Sequence, residues 1–266
     1  MTAVKECALN TTISMLNAYS LIGFERSFML QNIIDLAVPE GVLVDRFQLR
    51  TAGLSQKQIA YCVCSCKIQS VVKGVYRRPG PPLKWQCVVH SLVKMGIPCR
   101  VASVSALQHH CLIDQNIVTP TEIVLARLVP FPKWLKRLDH IARFRSWRGC
   151  FSDGLPESAI TSFPFGTWDW PIPVSTPELA LLELLAEIHH ESEFHIADQV
   201  FDLIDFECLK ELLIVFPHFK ARRLCLWFAK RHGLNMPLLD LGRGKISVVK
   251  NGVFDKALGI TVPRMD

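Results

Sequence analysis

Residues 49–80 read LRTAGLSQKQIAYCVCSCKIQSVVKGVYRRPG, and the periodicity of this stretch decides the fold. Gly53 suits a tight turn, and Ser55 just after it is a natural helix N-cap. The spacing predicts a helix from there to about Lys67. On that helix Ile59, Cys62, Val63 and Cys66 recur at i, i+3, i+4 and i+7, the pattern of a core-facing stripe. Cys64 lies two residues from Cys62, about 200° around the axis, so the three sulfurs of the C-x-C-x-C run cannot converge on one ion. A zinc site would need the run as a strand plus a fourth ligand, and zinc spacing normally comes in two C-x2-4-C pairs. Cys62 and Cys66 are therefore expected as small buried hydrophobes, with no metal.

The same geometry turns the opening of the helix outward. Ser55, Gln56, Lys57, Gln58 and Tyr61 become the candidate DNA-facing residues, with Ala60 beside them. Gln can pair two-pronged with adenine and Lys can reach guanine, each worth roughly 1–3 kcal/mol of discrimination. Upstream, residues 28–37 are apolar at helical spacing and stop at Pro39, and residues 43–52 are expected as a second short helix. Downstream, Val71–Val72 and Val75–Tyr76 flank Lys73–Gly74 as a hairpin. Three short helices and a hairpin have the layout of a helix-turn-helix with a wing. Lys73, Arg77 and Arg78 would then hold phosphates, which supply affinity without sequence information.

Pro79, Pro81 and Pro82 interrupt regular structure, so a boundary is expected there, between residues 1–82 and 83–266. Beyond it the pattern mixes helix and strand, with strands near 100–104 and 121–129. A loop containing Pro171 and Pro173 leads into a helix capped by Ser175 or Thr176. Four helical segments then reach about His232, with a break near Pro217. Asn251–Gly252 between apolar runs predicts a hairpin in the tail. The fold class is α+β: an N-terminal winged helix-turn-helix followed by a largely helical, mixed α/β domain.

At 266 residues, half of them apolar, the chain is long enough to bury a core. The opening MTAVKECALNTT has no apolar run behind a basic start, and no stretch of about 18 uncharged apolar residues occurs. A soluble cytoplasmic protein without membrane contact is expected, its ten cysteines mostly reduced. The net charge of +6 is unevenly spread. Residues 1–66 are neutral overall, residues 67–148 hold fourteen basic against three acidic residues, and residues 149–266 carry a net −5. The middle segment favours polyanions.

Enzyme motifs fail on inspection. Leu241–Lys245 lacks the spacing of a phosphate-binding G-x-x-x-x-G-K-[ST] loop, and His190–Glu191 to His195 is one residue too long for a zinc-binding H-E-x-x-H. No G-x-S-x-G elbow is present, and His109 and His110 read as cap or surface residues. No catalytic residue and no cofactor is expected. Asp198, Asp202 and Asp205 form an acidic face beside Ile196, Val200, Leu203 and Ile204, either solvated or meeting a partner. Lys220, Arg222 and Arg223 open the next helix as a basic cluster, either surface or partner contacts.

Several runs in fixed order carry a resemblance. They are Gly53-Leu54-Ser55, Gly74-Val75-Tyr76-Arg77-Arg78-Pro79-Gly80 with Trp85, and Pro130 to Leu135. In the second half they are Ser175 to Leu185, Lys220 to Leu224 with Trp227-Phe228-Ala229, Asp240 to Lys245, and Ile260 to Pro263. Their series over about residues 30–264 resembles the AbiEi antitoxins of type IV toxin–antitoxin systems, leaving residues 1–25 unmatched. The resemblance implies an antitoxin that binds repeats in its own promoter through a winged helix-turn-helix. It implies a C-terminal domain that neutralises a nucleotidyltransferase-like toxin, without requiring a stable complex of the two; Lys220, Arg222 and Arg223 are the candidate antitoxic or partner contacts. The alternative is a stand-alone winged-helix regulator whose second domain senses a ligand or mediates dimerisation.

Overall fold

The computed structural model describes residues 29–115, 120–126, 131–147, 155–236, 240–249 and 252–264. The chain forms two compact units, Met1–Leu83 and Lys84–Asp266.

In the first unit, helix α1 (residues 29–37) turns Leu30 and Ile34 inward, one turn apart. Strand β1 (Val44–Asp45) and helix α2 (Arg46–Thr51) occupy the segment where one helix over 43–52 is expected. Asp45 causes the difference. Its Oδ1 accepts the Gln48 N–H at 2.7 Å and Gln48 Oε1 accepts the Asp45 N–H at 3.1 Å, so the helix starts there. Val44 and Asp45 are left extended, paired antiparallel with Tyr76 and Val75.

Helix α2 closes over Gly53, whose φ of +94° suits a residue without a Cβ. The Leu54 N–H donates to the Leu49 carbonyl at 3.0 Å and the Gly53 N–H to the Arg50 carbonyl at 3.0 Å, while Leu49 and Leu54 are both buried. The chain passes directly into helix α3 (Gln56–Cys64), again capped reciprocally, by Ser55 and Gln58.

Helix α3 stops three residues before the expected Lys67. Cys66 takes φ +56°, and the Lys67 N–H reaches back to the Cys62 carbonyl at 2.9 Å. A stripe that includes Cys66 needs one more helical turn than the chain makes, so Cys66 is exposed rather than buried, and Ile68 fills the core position. Strands β2 (Gln69–Val72) and β3 (Val75–Arg77) form the hairpin over Lys73–Gly74, in a sheet of order β1-β3-β2.

The second unit is built on a five-stranded sheet of order β6-β5-β4-β8-β7. Its strands are β4 (Cys99–Val101), β5 (Glu122–Ala126), β6 (Arg143–Trp147), β7 (Ile160–Phe165) and β8 (Trp170–Ser175). Pro171 and Pro173, expected in a loop, lie in β8, paired with Pro164 and Ser162 of β7. The Thr176 N–H donates to the Ala159 carbonyl at 3.0 Å, which places the hydrogen-bonded pairs at Thr161/Val174 and Phe163/Ile172. All three prolines thus sit at alternate positions where the β7–β8 ladder needs no N–H.

Helices α4 (Trp85–Lys94) and α5 (Ser103–His109) pack on this sheet, and helix α6 (Pro177–Glu187) joins it to a helical cluster. Pro177 occupies the first helical position after Thr176, where a missing N–H costs nothing. Every residue of α6 from Glu178 to Ala186 is buried, so it is a central helix with neighbours all round. Those neighbours include α7 (Glu191–Phe201), α8 (Phe206–Val215) and α9 (Phe219–Arg231).

The tail forms a sheet of order β10-β11-β9, from β9 (Ile246–Ser247), β10 (Val253–Asp255) and β11 (Ile260–Val262). Asn251 lies outside the described residues, and the strand after it does not fold back on β9. It pairs with β11, which runs parallel to β9. Asp255 makes the turn between β10 and β11 by accepting the Ala257 and Leu258 N–H groups at 2.9 and 3.1 Å.

Candidate functional site

The outer face of α3 carries the residues expected from periodicity. Ser55, Gln56, Lys57, Gln58, Ala60 and Tyr61 are all exposed, Tyr61 by 53%, while Ile59 and Cys62 fill the core. They divide by duty. Ser55 and Gln58 are engaged with each other: Gln58 Oε1 accepts the Ser55 N–H at 2.8 Å and its Oγ–H at 2.7 Å. Gln56, Lys57 and Tyr61 are left as the outward reach of the helix.

On the hairpin, Lys73 is exposed beside Gly74, whose φ of +88° makes the tight turn. Arg77 lies against Pro81 and Gln69, its Nη1 donating to the Pro81 carbonyl at 3.0 Å. Arg78 is paired with the Asp35 carboxylate of α1, tying the segment after the hairpin to the first helix.

The basic cluster at the start of α9 has structural duties in the second unit. Arg223 is 3% exposed, and its guanidinium holds the carbonyls of Leu241 at 2.8 Å, Gly244 at 2.7 Å, Gly242 at 3.1 Å and Gly259 at 3.2 Å. The glycine-rich loop thus aims its carbonyls at an arginine, which is the reverse of an anion cradle. Arg222 donates to the carbonyls of Ile214, Phe216 and Asp240, closing the end of α8. Lys220 donates to the Ile188 carbonyl, and burial lowers its ammonium pKa. Neither of the two readings left open, surface position or partner contact, suits Arg223, because it is enclosed and bonded to its own chain.

The acidic face also divides. Helix α7 ends at Phe201, so Asp205 is the N-cap of α8 instead of a third member of one stripe. Asp198 and Asp202 hold the two nitrogens of His232 at 3.1 and 2.6 Å. Phe194, Ala197, Val200 and Phe201 form the buried side of α7, while Leu203 is exposed.

Sequence reasoning missed a fully enclosed charged network of this unit. Arg100 on β4 donates to Ser175 Oγ at 2.8 Å and to Glu183 at 2.6 Å, and Glu183 also accepts the Ser103 N–H at 2.9 Å. Nothing in an apolar run such as LALLELLAE signals that Glu183 faces an arginine far back in the chain. A cleft of about 850 Å³ lies nearby, where Glu122 is held between Arg145 at 3.0 Å and Arg143 at 3.5 Å. Burial pushes the Glu122 carboxyl up, and Arg145 pulls it back. Among the described residues no group of three or more His, Cys, Asp or Glu is placed to hold a metal.

Comparison with known families accounts for nearly the whole described chain. A model described as transcriptional regulator, AbiEi antitoxin, type IV TA system matches residues 122–263, more than half of the chain. A second, described as transcriptional regulator, AbiEi antitoxin N-terminal domain, matches residues 29–115. The chain belongs to the AbiEi family.

The AbiEi N-terminal model runs through α4, β4 and α5, past Leu83 where the first compact unit ends. Family module and folding unit therefore part company in this chain. The AbiEi chain is similar in fold to the crystal structure of the RV2827C protein from Mycobacterium tuberculosis, at 15% identity and a TM-score of 0.51, over 82% of this chain and 85% of that one. No curated protein matches. Among the described residues no helix is long and apolar enough to cross a membrane.

Proposed function

We propose that the chain is an antitoxin and autorepressor that acts by binding rather than catalysis, with the first unit serving as a winged helix-turn-helix on promoter repeats. The observation that carries this reading is the outer face of α3. Gln56, Lys57 and Tyr61 stand exposed on a helix held by reciprocal caps, beside a hairpin that carries Lys73 and Arg77. In this role α3 enters the major groove, Gln56 and Lys57 meet base edges, and Lys73 and Arg77 meet phosphates. Ser55 and Gln58 fix the start of the helix. Arg78 would have to leave Asp35 to reach DNA, so it positions the hairpin instead. The basic excess over residues 67–148 supports long-range attraction to the duplex.

The second unit, in this reading, neutralises a nucleotidyltransferase-like toxin. Its support is the family description as a type IV antitoxin, together with the size of a unit that α3 does not need. The test uses the full chain and the two arms separate. Lys57→Ala with Arg77→Ala should abolish the promoter shift, and the surviving weak binding should show a salt slope lower by about one for each phosphate no longer neutralised. The same variant, co-expressed with the toxin of the neighbouring gene, should still relieve growth arrest. A promoter shift at wild-type concentration defeats the DNA reading. Failure to relieve arrest, with the variant folded, defeats the assignment of neutralisation to the second unit.

A further inference from the structure

The tail sheet and helix α9 enclose an open cleft of about 710 Å³ whose lining pairs aromatic faces with cations. Trp227 and Phe254 supply the rings, and Arg231, Lys256 and Arg264 the positive charge. Asp255 is the acidic member, and its carboxylate is occupied with the Ala257 and Leu258 N–H groups of the turn. Arg231 lies 5.9 Å from the Trp227 ring centre, and Lys245 lies 5.4 Å from that of Phe254. Trp227 is braced from behind by Phe194 and Phe228, at 5.2 and 5.1 Å between ring centres. Phe254 remains 38% exposed. Among the described residues Lys256 and Arg264 meet no carboxylate, and residues 217–266 hold ten basic against three acidic residues. Cations are therefore concentrated at the C-terminal end of the second unit.

We propose that this cleft binds a nucleotide unit, an aromatic base with its phosphate, presented either as a free nucleotide or within a single strand of RNA. A ring laid between Phe254 and the braced Trp227 stacks without regard to its hydrogen-bonding edge, which makes the site tolerant of base identity. The phosphate falls to Lys256 and Arg264, whose side chains are exposed, while Arg231 stays over the indole, steered by Asp198 at 3.5 Å. The site belongs to the second unit and is independent of α3.

The experiment uses the full chain and a fluorescein-labelled ten-residue oligouridylate, read by anisotropy, with the promoter duplex as a separate probe. Lys256→Glu with Arg264→Glu should weaken oligouridylate binding at least tenfold and Phe254→Ala about fivefold, with the duplex bound as before. Arg264→Gln, a milder change in the exposed tail, should cost about threefold and guards against misfolding of the double reversal. Displacement by millimolar uridine monophosphate assigns the site to free nucleotides, and resistance to it assigns the site to a strand. Either result requires the cleft variants to lose binding. The inference is overturned if the oligouridylate does not bind, if the cleft variants bind it like wild type, or if inorganic polyphosphate competes equally and Phe254→Ala has no effect.

Discussion

Arg100 on β4 and Glu183 on α6 face each other at 2.6 Å with side chains 0% and 1% exposed, eighty-three residues apart in the chain. Ser175 and the Ser103 N–H bond to the same pair, so it fastens two strands, α5 and the central helix. Removing one partner leaves a buried charge uncompensated. Glu183→Ala should therefore lower stability by about 3–5 kcal/mol. Arg100→Met combined with Glu183→Leu should recover much of that loss, because the desolvation cost leaves with both charges. Urea denaturation of the three variants reads the difference. Equal losses in the single and the double variant would mean that these hydrogen bonds, rather than charge balance, carry the effect.

Arg223 presents a second case. One guanidinium satisfies four carbonyls from two separate parts of the tail. Arg223→Met should cost about 3 kcal/mol, and Arg223→Lys should recover little of it, since an ammonium lacks the planar fork that reaches several acceptors at once. Limited proteolysis should find early cleavage between residues 240 and 264 in both variants. Wild-type resistance in Arg223→Lys would show that charge alone suffices.

The end of α3 carries a strained residue. Cys66 holds φ +56°, a conformation that costs an L residue about 1 kcal/mol or more. Cys66→Gly removes that strain at some cost in unfolded-state entropy, and should raise stability by about 0.5 kcal/mol. Gly53→Ala, at φ +94°, should lower it. Thermal melts of the two variants should move in opposite directions, and a shift in the same direction would contradict this account of both turns.

Acid should weaken the second unit through His90. Its ring stacks on Trp170 at 4.5 Å, and burial, helped by Lys94, lowers its pKa below the usual 6.5. Above 6.5 both folded and unfolded chains hold a neutral ring, and His90 adds no pH dependence. As pH falls from there toward the folded value, the unfolded chain takes up a proton that the folded ring refuses, so stability declines. His109 and His218 are shifted the same way by burial and add to the slope. His90→Phe keeps the stacked ring without the proton, and should flatten the fall in melting temperature between about pH 7 and 5.5. An unchanged slope would assign the effect to the other two histidines.

The outward face of α3 and the hairpin beside it were legible because both depend on neighbours in sequence. A serine before a periodic apolar run caps a helix wherever it occurs, and a glycine between two apolar pairs turns a hairpin. Legibility ended where a partner arrives from far along the chain. Val44 and Asp45, left extended ahead of the Asp45–Gln48 cap, became a strand because Tyr76 and Val75 pair with them, and Pro171 and Pro173 joined a sheet because β7 leaves their missing N–H groups unused. Arg222 and Arg223 looked available because their carbonyl partners, up to thirty-six residues away, lie at the end of α8 and in the loops of the tail.

What residue order alone decided is local: the cap at Ser55, the helix start at Pro177, the turns at Gly53 and Gly74, and the basic excess between residues 67 and 148. These follow from backbone geometry and charge within a few residues of each other. Tertiary structure decided which charges remain available. It enclosed Arg100, Glu183 and Arg223, paired Arg78 with Asp35, and gathered Arg231, Lys256 and Arg264 around two aromatic rings. Burial and pairing depend on what the folded chain brings close, and contact between distant segments leaves no periodic trace in either one.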